Sequence, residues 1–304
     1  MAEWSCSGLQ IRVRRFDSGL SLQLVMRISI IGYGFVGKAL SNALKGDFEL
    51  QKIDPNLGTS TLDIKDFKPN IIFICVPTPM NKDGSQDISI LMDIINEIKS
   101  FDFQSLIVLK STILPLHIES IQNRLTNFVY NPEFLREKHA DEDFINSDMI
   151  IFGGKKETNL ELSNFYKNYL KCKNKDHTFT DPVSASFIKY IINSFLATKV
   201  IFFNEFHKLF KSSSAKEDWE TFIKVISKDH RIGSSHMNVP GHDGRKGFGG
   251  ACLPKDANAI VKYSESHGID LAVLSSVIRI NNKIRAKYNE NTERENEQNI
   301  FFEE

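Results

Sequence analysis

Several short stretches of this 304-residue chain pair residue types and spacings that chemistry could use. In Gly32-Tyr33-Gly34-Phe35-Val36-Gly37 the first glycine allows a tight turn. The second lets backbone approach a pyrophosphate, and the third permits close packing of a helix on a strand. About 20 residues on, Asp54 ends an apolar run, where a carboxylate can hydrogen-bond ribose hydroxyls and repel a 2′-phosphate; this favours NAD over NADP. Cys252 follows Gly249 and Gly250, which leave room for a ligand, and precedes Lys255 and Asp256 by about one helical turn. An isolated cysteine is more often a small buried apolar residue, so those neighbours carry the reading. Lys189 and Asn193 stand four residues apart and share one face of a helix, where both could converge on one oxygen.

The pattern around these residues supplies elements to hold them. A buried strand over Arg27–Ile31 leads into the glycine turn, and Lys38–Leu44 reads as the helix it opens. Strands follow at Phe48–Ile53, Ile71–Val76 and Leu106–Leu109, with a helical period over Ile88–Ile98. Shorter strands are expected at Asn127–Tyr130 and Met149–Phe152, then a helix over Thr158–Tyr169. Strands alternating with helices predict an α/β, Rossmann-like, doubly wound parallel sheet spanning 26–181. A helical domain over 182–288 comes next. It opens on one long helix, Ser184–Phe210, in which Phe187, Ile191, Phe195, Thr198 and Phe202 recur at three- and four-residue steps. Helices over Trp219–Ser227 and Lys255–His267 flank a glycine-rich loop, Gly241–Gly250. Residues 1–25 read as a disordered arm and 289–304, rich in Glu and Asn, as a frayed tail.

Composition narrows the class. Hydrophobic residues at 41% and charged residues at 25% are ordinary for a globular protein, and 38 basic side chains balance 38 acidic ones, so net charge implies no nucleic acid partner. The longest apolar runs, Ile71–Val76 and Ile191–Phe203, are too short or too interrupted by Asn193, Ser194 and Lys199 for the roughly 20 residues of a membrane span. A soluble, cytoplasmic protein is expected. Cys6, Cys75, Cys172 and Cys252 have neither disulfide nor metal spacing.

Further segments are hard to explain by folding alone: Val76-Pro77-Thr78-Pro79, Ser111-Thr112-Ile113-Leu114-Pro115, Asn131-Pro132-Glu133-Phe134-Leu135-Arg136-Glu137, and Gly247-Phe248-Gly249-Gly250-Ala251-Cys252-Leu253-Pro254-Lys255-Asp256. In this order after a dinucleotide fingerprint, the chain from about Arg27 to Arg285 resembles the UDP-glucose/GDP-mannose dehydrogenase family. The form of the Asn131–Glu137 segment is similar to the UDP-glucose and GDP-mannose branches, and the Val239–Gly250 loop to UDP-glucose enzymes.

The resemblance implies a C6 alcohol oxidised to a carboxylate in two hydride transfers, with Cys252 holding the aldehyde as a thiohemiacetal and then a thioester. It implies Lys189 and Asn193 on the C6 oxygen, Glu133 as acid-base residue, Asp256 orienting water, Thr112 positioning that water and touching cofactor, and Glu137 near the nicotinamide. Cofactor contacts would extend to Val76, Pro77 and Thr78, and substrate contacts to Phe134, Leu135, Phe248, Gly249 and Lys255. In Asp229-His230-Arg231-Ile232-Gly233, Arg231 would reach the nucleotide sugar of a neighbouring subunit, giving a homodimer with a shared site. After the match at Leu271–Arg285 the remaining residues are too few for the nucleotide-gripping third domain of the family. Alternative expectations keep the class but change the substrate to GDP-mannose or another nucleotide hexose, or reduce the chain to a non-catalytic NAD-binding remnant.

Overall fold

The computed structural model describes residues 25–101 and 104–303, so the arm expected over 1–25 falls, but for Val25, outside the described residues. The first half alternates strands and helices: β1 (Met26–Ile31), α1 (Phe35–Ala43), β2 (Phe48–Ile53), α2 (Ile64–Phe67), β3 (Ile71–Ile74), α3 (Ser89–Ser100) and β4 (Leu106–Leu109). It continues through α4 (Pro115–Gln122), β5 (Phe128–Tyr130), α5 (Ala140–Asn146), β6 (Ile151–Gly154), α6 (Lys156–Tyr169) and β7 (Thr178–Thr180). The strands form one sheet in the order β2-β1-β3-β4-β5-β6-β7.

Every residue of β3 and β4 is buried, as strands covered on both faces must be. Their two-residue period sorts them between layers. Ile71 and Phe73 join Leu40, Phe165 and Tyr166 on one face, while Ile72 and Ile74 join Leu91, Ile95 and Ile118 on the other. Strand order reverses at β1, which pairs with β2 on one side and β3 on the other. A crevice therefore opens past the carboxyl ends of β1 and β3, where the glycine turn and the Val76–Pro79 segment emerge.

The sheet departs from the expected all-parallel pattern at one place: β6 runs antiparallel to β5. A parallel return would need a crossover helix laid along the sheet. This connection instead carries the Asn131–Glu137 segment and α5, which packs on α1. Neither β7 nor the short α2, α4 and α5 was legible in the periodicity, because each is too brief to show one.

Asp181 caps the next helix by accepting from Ser184 N, and Pro182 fills its first turn. That helix, α7 (Pro182–Ser212), packs against α4, β6, α9 (Leu253–Ser266) and α10 (Ala272–Arg285), following α8 (Trp219–Ile226) in the second half. By length and composition α7 could cross a membrane, contrary to the sequence expectation. Yet 44% of its most apolar window is buried within the chain, and Lys189, Asn193, Lys199 and Asn204 are buried along it. Its apolar surplus falls into one exposed stripe: Phe187, Ile191, Phe195, Phe202, Phe206 and Leu209.

The tail expected to fray over 289–304 is ordered in its described part, up to residue 303. Thr292 and Glu295 form a reciprocal capping box at the start of α11 (Glu293–Glu297), and Glu295 and Ile300 are buried. An ion pair with Arg285, absent from any local pattern, draws the polar segment inward.

Candidate functional site

The glycine turn has the geometry that close approach of a ligand requires. Gly32 adopts φ +86, and a Cβ there would meet the Cys75 carbonyl at 2.8 Å. A Cβ on Gly37 would run into the Gly32 carbonyl oxygen, whereas one on Gly34 would meet nothing within 4 Å. The turn is thus tight at its first glycine, closed against the strand at its third, and open to a ligand at its second. Gly34 precedes α1 with no side-chain cap, leaving first-turn N–H groups for an anion. Asp54 Oδ2 accepts from Tyr33 N at 2.7 Å and Oδ1 from Asn56 N at 2.9 Å, fixing this carboxylate beside the turn. These features fit a dinucleotide. Phe35 and Val36 are half-buried at the start of α1.

Across the crevice, Val76 and Thr78 are buried and Pro77 exposed. Thr78 Oγ1 donates to the Thr112 carbonyl at 2.9 Å, and Gln86 Nε2 donates to the same carbonyl at 2.8 Å. Thr112 is therefore held by its backbone, with its side chain left half-buried.

The second cluster gathers side chains from three parts of the chain. Lys189 Nζ donates to the Glu133 carbonyl at 2.5 Å and lies 3.5 Å from Glu133 Oε1. Glu133 Oε2 accepts from Leu135 N at 2.7 Å, and the Lys189 ammonium stands 5.2 Å from the Phe134 ring centroid. Four residues along α7, Asn193 Nδ2 donates to Asp256 Oδ2 at 2.6 Å, while Lys255 Nζ donates to Asp256 Oδ1 at 2.5 Å. Cys252 sits at the N-terminus of α9, with its carbonyl accepting from Asp256 N. Glu133, Lys189, Asn193, Lys255 and Asp256 are all buried. Lys189 and Asn193, expected to share one oxygen, instead hold two different carboxylates, because a buried ammonium and amide each need an acceptor.

Electrostatics in this cluster are dominated by burial. Desolvation pushes the Cys252 thiol up to about 11; Lys189 and Lys255 oppose that rise, and Glu133 and Asp256 add to it. For Lys189 burial works against the charge, but the carboxylates of Glu133 and Asp256 outweigh it and hold its pKa above the ordinary lysine value. Sequence reasoning took Lys255 and Asp256 as the groups that tune the thiol. In the fold Lys189 is the strongest charge acting on it.

The remaining expected residues are spread more widely. Phe248 is buried beside Ala197, Ile201 and Val277, and Asn281 binds both its backbone N–H and its carbonyl. Gly249 lies against Arg285 and Glu295. Glu137 is exposed and its carboxylate lies 2.8 Å from Arg294 Nε. Arg231 is not brought to the cluster within one chain: its side chain is 89% exposed and pairs with Asp229 at 2.6 Å.

Three residues near the site escaped the sequence reading. Lys110, fully buried, donates to Asn131 Oδ1 at 2.9 Å and braces the Glu133 segment, its pKa lowered by burial. A lysine closing the apolar run Leu106–Leu109 was the available signal. Arg285 and Glu295 are the others; the Thr292-x-x-Glu295 spacing is a readable capping box.

Comparison with known proteins fits this geometry. The NAD binding domain model of the UDP-glucose/GDP-mannose dehydrogenase family matches residues 50–170, and its central domain model matches 183–283. The chain belongs to that family. It is 38% identical over 218 residues to a UDP-glucose 6-dehydrogenase of Rickettsia bellii, a match covering 69% of this chain and 48% of the relative. Among solved structures it resembles a UDP-glucose dehydrogenase from Pyrobaculum islandicum (25% identity, TM-score 0.67, 87% of this chain and 70% of that one). It also resembles a GDP-mannose dehydrogenase from Pseudomonas aeruginosa captured as a ternary complex (27% identity, TM-score 0.58, 86% and 70%). The chain spans about half the length of the Rickettsia relatives it matches.

Proposed function

We propose that this chain is an NAD-dependent nucleotide-sugar 6-dehydrogenase that oxidises UDP-glucose to UDP-glucuronate. The observation that carries the reading is the convergence of the half-buried Cys252 with the buried Lys189, Asn193, Glu133 and Asp256 beside a dinucleotide-shaped turn. The nicotinamide dinucleotide, when bound, accepts a hydride at each of the two oxidations. Gly34 and the first turn of α1 receive its pyrophosphate, and Asp54 its adenosine ribose.

The chain's own residues handle the rest. Lys189 and Asn193 exchange their carboxylate partners for the C6 oxygen and stabilise charge on it. In the first oxidation the C6 hydroxyl proton passes to Glu133 and on to water. Cys252 Sγ then bonds to the aldehyde carbon and the thiol proton passes to the aldehyde oxygen, giving a thiohemiacetal; loss of the second hydride, with the hydroxyl proton leaving by the same route, gives a thioester. Water then attacks the thioester carbon, with Glu133 taking its proton, Asp256 orienting it, and the thiol leaving re-protonated. Thr112 and Glu137 line the cofactor side, and Phe134, Leu135, Phe248, Gly249 and Lys255 the sugar side.

The exposed stripe on α7 supports a soluble homodimer. Six large apolar side chains along one face exceed what a monomer usually shows to water. A two-fold contact there would carry the exposed Arg231 towards the partner's substrate.

The deciding measurement is NADH formed per UDP-glucose consumed, with GDP-mannose and N-acetylated nucleotide sugars as comparators. Two NADH per UDP-glucose, lost in Cys252→Ala, is expected. Cofactor binding without turnover on any of these sugars would overturn the reading.

A further inference from the structure

We propose that residues 292–300 form a clasp across the cleft, in which Glu295 is a positioning residue that holds the loop carrying Cys252 against the dinucleotide half. The functional weight of this inference rests on Cys252 being the reacting thiol; the clasp itself does not.

Glu295 is wholly excluded from solvent, and a buried carboxylate must find donors. Its Oε1 accepts from Gly250 N at 3.1 Å and from Arg285 Nη2 at 2.5 Å, and its Oε2 accepts from Thr292 N at 2.7 Å. Arg285 in turn donates to Asp243 at 2.7 Å. Gly250 lies two residues before Cys252, and both Gly247 and Gly250 have positive φ. A loop with two such glycines has many conformations to lose, so its shape must be imposed from outside. Arg285 and Glu295 impose it, packed so closely on Gly249 that no Cβ would fit.

The same segment grips the other wall. Arg294 Nε lies 2.8 Å from Glu137 Oε1, and its guanidinium is 5.8 Å from the Phe35 ring in the glycine turn. Met80 N donates to the Gln298 carbonyl at 3.0 Å, and Ile300 is buried. One short stretch therefore touches Phe35, Met80 and Glu137 on the cofactor side and Gly250 and Arg285 on the thiol side. A helix as short as α11 has no stability alone, so it docks only while both sets of contacts exist. Undocking would take the carboxylate acceptor from Gly250 N–H, leave Arg285 with Asp243 alone, and free the loop to expose the half-buried Cys252 further.

Alkylation of the full-length chain tests this without requiring turnover, so it decides the clasp whether or not any sugar is oxidised. Iodoacetamide labelling at pH 8 is followed separately at Cys252 and at Cys172, which is buried in the core of the first half. In Glu295→Gln the Cys252 rate should rise at least tenfold while Cys172 keeps its rate, and Glu295→Asp, which retains the charge, should fall between. Arg294→Ala, cutting the other grip, should also raise the Cys252 rate alone. In turnover assays Glu295→Gln should lower kcat with little change in KM for NAD. An unchanged Cys252 rate in Glu295→Gln or Arg294→Ala would overturn the proposal, as would a parallel rise at Cys172, the mark of simple destabilisation.

Discussion

The thiol at the centre of the site is expected to be unreactive in the unliganded chain at neutral pH, and the size of that suppression follows from its surroundings. Burial lifts Cys252 from the ordinary 9.0 to about 11. Two units lower the thiolate population about 100-fold, to about one in a thousand at pH 8. Because alkylation follows the thiolate, the Cys252 rate should climb about tenfold per pH unit from pH 7 to 10 without levelling. A cysteine in a short peptide should bend over near its ordinary value. Site-resolved iodoacetamide labelling, with peptide masses read at each pH, gives both curves. The charges fix the signs of two further arms. Lys189→Met removes the cation that opposes the rise and should slow labelling at every pH; Asp256→Asn removes an anion that adds to it and should speed labelling. A Cys252 curve that levels below pH 9, or a faster thiol in Lys189→Met, would refute the claim that desolvation dominates.

Three more outcomes follow from particular contacts. Gly37→Ala places a Cβ on the Gly32 carbonyl, an overpacking expected to cost about 1–3 kcal/mol, seen as a lower Tm together with weakened cofactor binding. Asp54→Asn should reduce the preference for NAD over NADP by about 10–100-fold in kcat/KM, the equivalent of about 1.5–3 kcal/mol for a charged hydrogen bond; an unchanged ratio would remove Asp54 from cofactor choice. Phe195→Asp, in the middle of the exposed α7 stripe, should convert a dimer to a monomer by light scattering. It should also raise KM for the sugar as Arg231→Ala does, with NAD binding spared in both.

The fold was legible where an element was long or its chemistry local. The buried runs of β1, β3 and β4, the glycine turn and the period of α7 all announce themselves, because solvent exclusion and backbone sterics act on neighbours in sequence. The reversed direction of β6 was not legible, since nothing in Ile151–Gly154 records which neighbour it will meet. The order in the tail was hidden for a similar reason. The Thr292-x-x-Glu295 spacing marks a helix start, but that Glu295 turns inward depends on Arg285, ten residues back, being buried beside it. In the site, residue types and the i,i+4 face of Lys189 and Asn193 could be read directly. Their partners could not, because Glu133, α7 and α9 meet only through tertiary packing.

Those partners explain how so much charge is tolerated away from water. Two ammonium groups, Lys189 and Lys255, face two carboxylates, Glu133 and Asp256, around a thiol that burial keeps neutral. Removing one member would leave an uncompensated buried charge, which costs far more than a surface pair is worth. The same neutrality suits the proposed chemistry. A neutral thiol adding to an aldehyde carries its own proton to the oxygen, so thiohemiacetal formation brings no net charge into the pocket. Charge develops on the C6 oxygen as a hydroxyl proton departs ahead of each hydride. At that moment Lys189, already held in its charged form by Glu133 and Asp256, stands ready to meet it.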